Sequence, residues 1–170
     1  YVIGPIGAVS IKTALPYKIM HWVLQIPFRL MGMRLKGFWK IDGMAKAIAE
    51  RQGRAYDCDL MRHTLTMAMI HDRLDLEQDA KLVTVIGDGF ANMSSLLLSS
   101  IPHTRVILVN LTKTLLLDLV YLRKAFPDEN IALIQNADEM KEALASKDAR
   151  IIAVRADDMH VLAQAPVSLA

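Results

Sequence analysis

Apolar residues are spaced in two ways along this chain. Up to residue 80 they recur at helical intervals, whereas from Lys81 they come as short continuous runs separated by helix-length segments. The runs at 82–86, 106–109, 131–134 and 151–154 are rich in Val, Ile and Leu, as expected of parallel strands buried on both faces. Between them lie segments 91–101, 112–126 and 138–146, the second carrying Leu115, Leu119, Leu122 and Phe126 on one helical stripe before Pro127 closes it. Strand and helix alternating at this pitch predict right-handed βαβ crossovers and an α/β domain built on a parallel sheet.

The earlier part reads as helices. Segments 18–26 and 27–38 fit two short helices with Pro27 as the first residue of the second. Segment 42–53 has a start signal at Asp42 and a stop glycine at Gly53, and 57–74 places Met61, Leu65, Ala68 and Met69 on one stripe. The predicted division is an α-helical region over 1–80 and a sheet domain over 81–170.

Composition narrows the class. With 53% hydrophobic and 22% charged residues the chain is neither disordered nor of low complexity. Twenty basic against eighteen acidic residues leave a net charge of +2, too small an excess for a nucleic-acid partner. The single cysteine, Cys58, excludes an intramolecular disulfide and a multi-cysteine zinc site, which makes a cytoplasmic location the expectation.

Charge is distributed unevenly. Lys12, Lys18, Arg29, Arg34, Lys36 and Lys40 all precede the first acid, Asp42, and are interleaved with Trp22, Phe28, Phe38 and Trp39. Residues 12–40 therefore fit either a helical flank packed by its apolar side on the next domain or a peripheral contact with an anionic membrane. No run of about 18 uncharged apolar residues occurs, so a spanning helix is not expected. The chain opens at Tyr1 without Met and ends in an apolar run after Pro166 that reads as the start of a strand. The expectation is a piece cut at both ends.

The most informative residues are Val83-Thr84-Val85-Ile86-Gly87-Asp88-Gly89-Phe90-Ala91-Asn92, a buried strand running into a glycine turn and then a helix. Glycines suit a chain that turns sharply out of a sheet and lets a cofactor approach its backbone, with a helix N-terminus supplying N–H donors. Open α/β sheets bind ligands at this carboxyl edge. A plain tight turn has the same pattern. In the dinucleotide fingerprint a third glycine would fall on Asn92, which weakens a nicotinamide reading, and Asn110 ends the second strand where a ribose-binding acid normally sits.

Ile-Gly-Asp-Gly-Phe-Ala, followed by Arg-Val-Ile-Leu-Val-Asn-Leu-Thr-Lys-Thr-Leu-Leu, resembles the S-adenosylmethionine-dependent class I methyltransferases, and among them the putative sugar O-methyltransferases. The resemblance implies a Rossmann-like, doubly wound parallel sheet, here incomplete. It implies S-adenosylmethionine lying over Ile86, Gly87, Asp88, Gly89 and Phe90 with its ribose near Asn110 and Leu111. The implied activity is O-methylation of a sugar, nucleotide sugar or related small molecule. This chain departs from the family pattern at Val85, Ala91 and Asn110, where an acid, a glycine and an acid are common. Two apolar runs end in amide or acidic residues, Asn136 and Asp138 after one, Asp157 and Asp158 after the other; the resemblance favours Asp157 for the adenine amino group, and helix capping is the alternative for Asp138 and Asp158.

Methyl transfer to a hydroxyl is served by positioning and by a base that removes the proton. His160 and His63 are the candidates. His63 with Asp59, and His71 with Asp75, have helical spacing for a metal but lack a third ligand, so no metal is expected. Arg51, Arg54 and Arg62 suit either an anionic sugar or pairing with Glu50, Asp57 and Asp59. A half-buried structural thiol is the expectation for Cys58, and His21 has no evident partner. The rival classes are an NAD-type oxidoreductase and a non-catalytic, membrane-associated interaction module.

Overall fold

The computed structural model of the protein describes residues 15–75, 81–146 and 148–165. The chain divides into two compact units, Tyr1–Leu74 and Asp75–Ala170. Lys12 and the strand expected after Pro166 lie outside the described residues.

In the first unit, α1 spans Leu15–Gly32, α2 Phe38–Gln52 and α3 Cys58–Arg73, and α3 packs on both others. Instead of breaking at Pro27, α1 runs through it. Proline removes one helical hydrogen bond, but Gln25 and Arg29 on either side are both anchored inward, to the Tyr56 carbonyl and to Asp42, which holds the two halves in one helix. The break falls at 33–37, so Phe38 begins α2 rather than ending a helix. Asp42 is consequently not a cap. It lies inside α2, 1% exposed, and accepts hydrogen bonds from Arg29, Lys46 and Tyr56. Asp57 caps α3 through the Leu60 amide at 2.9 Å. The buried stripe of α3 includes Met61, Thr64, Leu65 and Ala68, whereas Met69 is 47% exposed.

In the second unit, β1 (Leu82–Ile86), α4 (Asn92–Ser100), β2 (Arg105–Asn110), α5 (Thr112–Ala125), β3 (Ile131–Ile134), α6 (Ala137–Ser146) and β4 (Ile151–Arg155) alternate as the pattern predicts. A 3₁₀ helix over Ala156–Gln164 follows. The sheet has four strands, all parallel, in the order β1-β2-β4-β3. The path moves one way from β1 to β3 and returns to β4, so right-handed crossovers put α4 and α5 on one face and α6 on the other. Met140 and Ala143 of α6 and Val161 of the 3₁₀ helix accordingly pack against Ile107, Val109, Ile152 and Val154. The two central strands are buried throughout their cores, while the edge strands are not: Ile86 of β1 is 72% and Leu133 of β3 62% exposed.

The amino edge of this sheet is closed by two arginines. Arg105 donates to the carbonyls of Ala143, Leu144 and Ala149, and Arg150 to those of Leu98 and Thr104 and to the Glu129 carboxylate. Of these carbonyls, Leu98, Ala143 and Leu144 lie in the last turns of α4 and α6, where helical donors run out, and the guanidinium charge strengthens the bonds.

Candidate ligand site at the carboxyl edge

Glycine is required at the β1–α4 turn. Gly87 and Gly89 have φ of 74° and 80°, and a Cβ added at either would meet nothing within 4 Å. The residues are glycine because of backbone conformation, and the space over them is open. Ala91, where the family pattern has a third glycine, also lies in the left-handed region at φ 53°, although it carries a side chain. This turn is thus one in which three residues within five demand a conformation that L side chains resist.

Two carboxylates hold the turn. Asp88, 7% exposed, accepts from the amides of Met93 at 2.9 Å and Ser94 at 2.8 Å, so it caps α4 and faces the protein. Asp118, fully buried on α5, accepts from the Ala91 amide at 2.8 Å and the Asn110 side-chain amide at 2.8 Å, with a further bond from the Gly89 backbone. Burial pushes the Asp118 carboxyl up to about 6, the Asp88 charge adding to it and the three hydrogen bonds opposing it. Asp118 escaped the sequence reading, yet it left a signal: it is the acid within Leu115-Leu116-Leu117-Asp118-Leu119-Val120-Tyr121-Leu122, three residues from Leu115 and four from Leu122 on the buried stripe.

Asn110 is committed on both ends of its amide, donating to Asp118 and accepting from the Leu111 amide at 2.9 Å. An Asn amide has two N–H bonds and two carbonyl lone pairs, so one of each remains. Leu111 is 66% exposed beside it. Phe90 packs edge-on against Tyr121 with centroids 5.7 Å apart.

Strand order decides which chain end lies beside Asn110. Because β4 pairs with β2, with Asn110 opposite Arg155, the residues following β4 adjoin Asn110, and those following β3 lie one strand further out. Asp157 is exposed there, while Asp158 is paired with Arg155 at 2.7 Å. Asn136 caps α6 through the amides of Asp138 and Glu139, and Asp138 faces solvent with Lys141. Ile86, Gly87, Asn110, Leu111 and Asp157 therefore line one edge of three adjacent strands, about 5 Å apart from strand to strand.

The other candidates are scattered. His160 is exposed on the 3₁₀ helix. His63 belongs to the first unit, 3.9 Å from Asp59, which also binds Arg62 at 2.7 Å. Arg54 is buried, and its charge opposes the burial that pushes the Asp57 carboxyl up, whereas Arg51 and Arg62 are exposed. His21 does have a neighbour, the Cys58 sulfur at 3.7 Å from Nδ1, and burial pushes that thiol up. Among the described residues no three His, Cys, Asp or Glu side chains converge as metal ligands. No protein-family model matches the chain, and no curated protein or solved structure matches it significantly.

Proposed function

We propose that the second unit binds S-adenosylmethionine at the carboxyl edge of β1, β2 and β4, and that the chain serves methyl transfer to an oxygen of a small molecule such as a sugar. The observation that carries this reading is the pair of left-handed glycines, Gly87 and Gly89, with open space where side chains would stand. A bare backbone turn of that kind, at the carboxyl end of a parallel strand, is suited to close approach by a nucleoside ligand. The all-parallel order β1-β2-β4 sets three carboxyl ends side by side, as a Rossmann-like sheet does, although here β4 returns from the outer strand β3 instead of following β2 directly.

In this reading each residue has a modest task. Gly87 and Gly89 admit the ligand to the backbone; the remaining donor and acceptor of Asn110 meet ribose hydroxyls; and the Asp157 carboxylate accepts the adenine amino group. Exposed Ile86 and Leu111 flank the adenosyl moiety with apolar surface. The cofactor supplies an electrophilic methyl on a sulfonium, so the protein has to orient an acceptor hydroxyl and take its proton. His160, three residues beyond Asp157, is the candidate base on this unit.

Calorimetric titration of S-adenosylhomocysteine, with NAD as the comparison, tests the reading. Saturable adenosyl binding that Gly89→Val abolishes, with helix and sheet content unchanged by circular dichroism, supports it. Binding of NAD alone would instead favour an oxidoreductase, and a folded chain that binds neither would leave the turn structural.

A further inference from the structure

The helix α1 is amphipathic in the reverse sense of a helix on a water-exposed domain. His21, Gln25 and Arg29 recur every fourth residue, and this polar stripe faces inward. His21 meets the Cys58 sulfur at 3.7 Å, Gln25 donates to the Tyr56 carbonyl at 2.7 Å, and Arg29 donates to Asp42 at 2.9 Å. Opposite this stripe and along its flank, Ile19, Trp22, Val23, Ile26, Leu30 and Met31 are 36–60% exposed. A helix facing water carries its polar residues outward, and a contiguous apolar face of this extent marks an interaction surface.

Charge identifies the occupant. From residue 15 to 41 there is no Asp or Glu. Where α1 ends, Arg34, Lys36 and Lys40 are exposed, with Trp39 57% exposed among them. Apolar side chains bordered by cations and tryptophans match the boundary between acyl chains and anionic headgroups. A second copy of this face fits poorly, since it would bring Arg34, Lys36 and Lys40 of both copies to one interface, where Asp72, which accepts from the Lys36 amide at 3.0 Å, is outnumbered. No described helix is long and apolar enough to cross a membrane.

We propose that α1 lies in the plane of an anionic lipid surface, its apolar face at the acyl boundary and Arg34, Lys36 and Lys40 among the headgroups. This inference is independent of the ligand reading, because it concerns the first unit alone.

The test is co-sedimentation of the whole chain with vesicles of phosphatidylcholine and of equimolar phosphatidylcholine and phosphatidylglycerol, with tryptophan emission recorded in parallel. The expected result is binding to the anionic vesicles, a blue shift, and weakening by salt. Val23→Asp, on the outward face, should weaken that binding by about tenfold or more without loss of helix. Arg34→Glu with Lys40→Glu, both at exposed positions, should remove the preference for anionic lipid, and this pair carries the test if Val23→Asp does not fold. A folded chain that stays in the supernatant, binds neutral vesicles equally, or is unaffected by the folded variants overturns the proposal. So does a dimer without vesicle binding that Val23→Asp dissociates, which would assign the face to a second copy.

Discussion

The carboxylate of Asp118 reaches from α5 to the backbone amide of Ala91, 27 residues earlier, at 2.8 Å. Ala91 is also the described non-glycine residue with positive φ, a conformation costing roughly 1–2 kcal/mol. The same carboxylate holds Asn110 at the end of β2. One buried acid therefore joins the β1–α4 turn, the end of β2 and α5. A hydrogen bond donated to a charged carboxylate is worth about 1.5–3 kcal/mol, enough to offset the strain at Ala91.

This acid makes the second unit sensitive to pH in an unusual direction. Burial holds the Asp118 carboxyl at about 6, above its ordinary 3.8. The stability linked to it is fully present below about pH 4 and is lost as pH rises through about 6, by an amount on the order of 3 kcal/mol. Urea unfolding of the second unit, followed by circular dichroism across that range, should show this loss, and Asp118→Asn should remove the slope. Parallel pH profiles for the two proteins would refute the assignment.

Asn110→Asp introduces the acid common in the methyltransferases that the sequence resembles, yet it should not help here. It would set a second carboxylate at the 2.8 Å contact now filled by an amide donor. Like charges at that distance cannot both ionise freely, so we expect a loss of about 1–3 kcal/mol at neutral pH. Exchanging the pair, Asn110→Asp with Asp118→Asn, should recover part of it. A double-mutant cycle in urea measures the coupling, and additive effects would mean that the two residues do not interact.

The elements of the sheet domain were legible because unbroken Val/Ile/Leu runs and helical stripes have distinct periods. Their neighbours in space were not. Nothing in 131–134 or 151–154 says that β4 rather than β3 pairs with β2, and that pairing decides whether Asn136 or Asp157 adjoins Asn110. Gly87 and Gly89 stood out by residue type, whereas Asp118 was hidden by the apolar residues around it. In α1 the helical period is present but its direction is not: spacing defines two faces, and only the partners of Gln25 and Arg29 show that the polar one is buried. Pro27 suggested a break for the same reason, since sequence does not reveal anchors on both sides of it.

Two glycines with equally empty surroundings should respond oppositely to alanine. A Cβ at Gly43, inside α2, and one at Gly89 each meet nothing within 4 Å, but only Gly89 has positive φ, at 80°. Gly43→Ala should stabilise the first unit by up to about 1 kcal/mol through helix propensity. Gly89→Ala should destabilise the second by about 1–2 kcal/mol through backbone strain. Thermal unfolding of both variants checks the contrast; a neutral Gly89→Ala would mean that the turn relaxes and that glycine is not needed there.

Acid should act through Asp42 and Asp118 in opposite directions. Asp42 is buried, which raises its carboxyl, but hydrogen bonds from Lys46, Arg29 and Tyr56 outweigh that and hold it below its ordinary 3.8. Its stabilisation is present above that value and is lost as pH falls, the reverse of Asp118. Both tryptophans of the chain, Trp22 and Trp39, lie in the first unit, so tryptophan emission reports that unit's unfolding. Burial raises the Asp57 carboxyl in the same unit, which opposes the effect of Asp42. In Asp57→Asn, which can still cap α3, the urea midpoint should fall as pH drops from about 5 toward 3. Tyr56→Phe, which removes one donor to Asp42 at 2.8 Å, should lower stability by about 1 kcal/mol in the same signal. Asp42→Asn leaves Arg29 and Lys46 without their shared counter-ion and should cost about 3–5 kcal/mol. An acid-insensitive tryptophan midpoint in Asp57→Asn would show that Asp42 is not the group that ties α1 to α2.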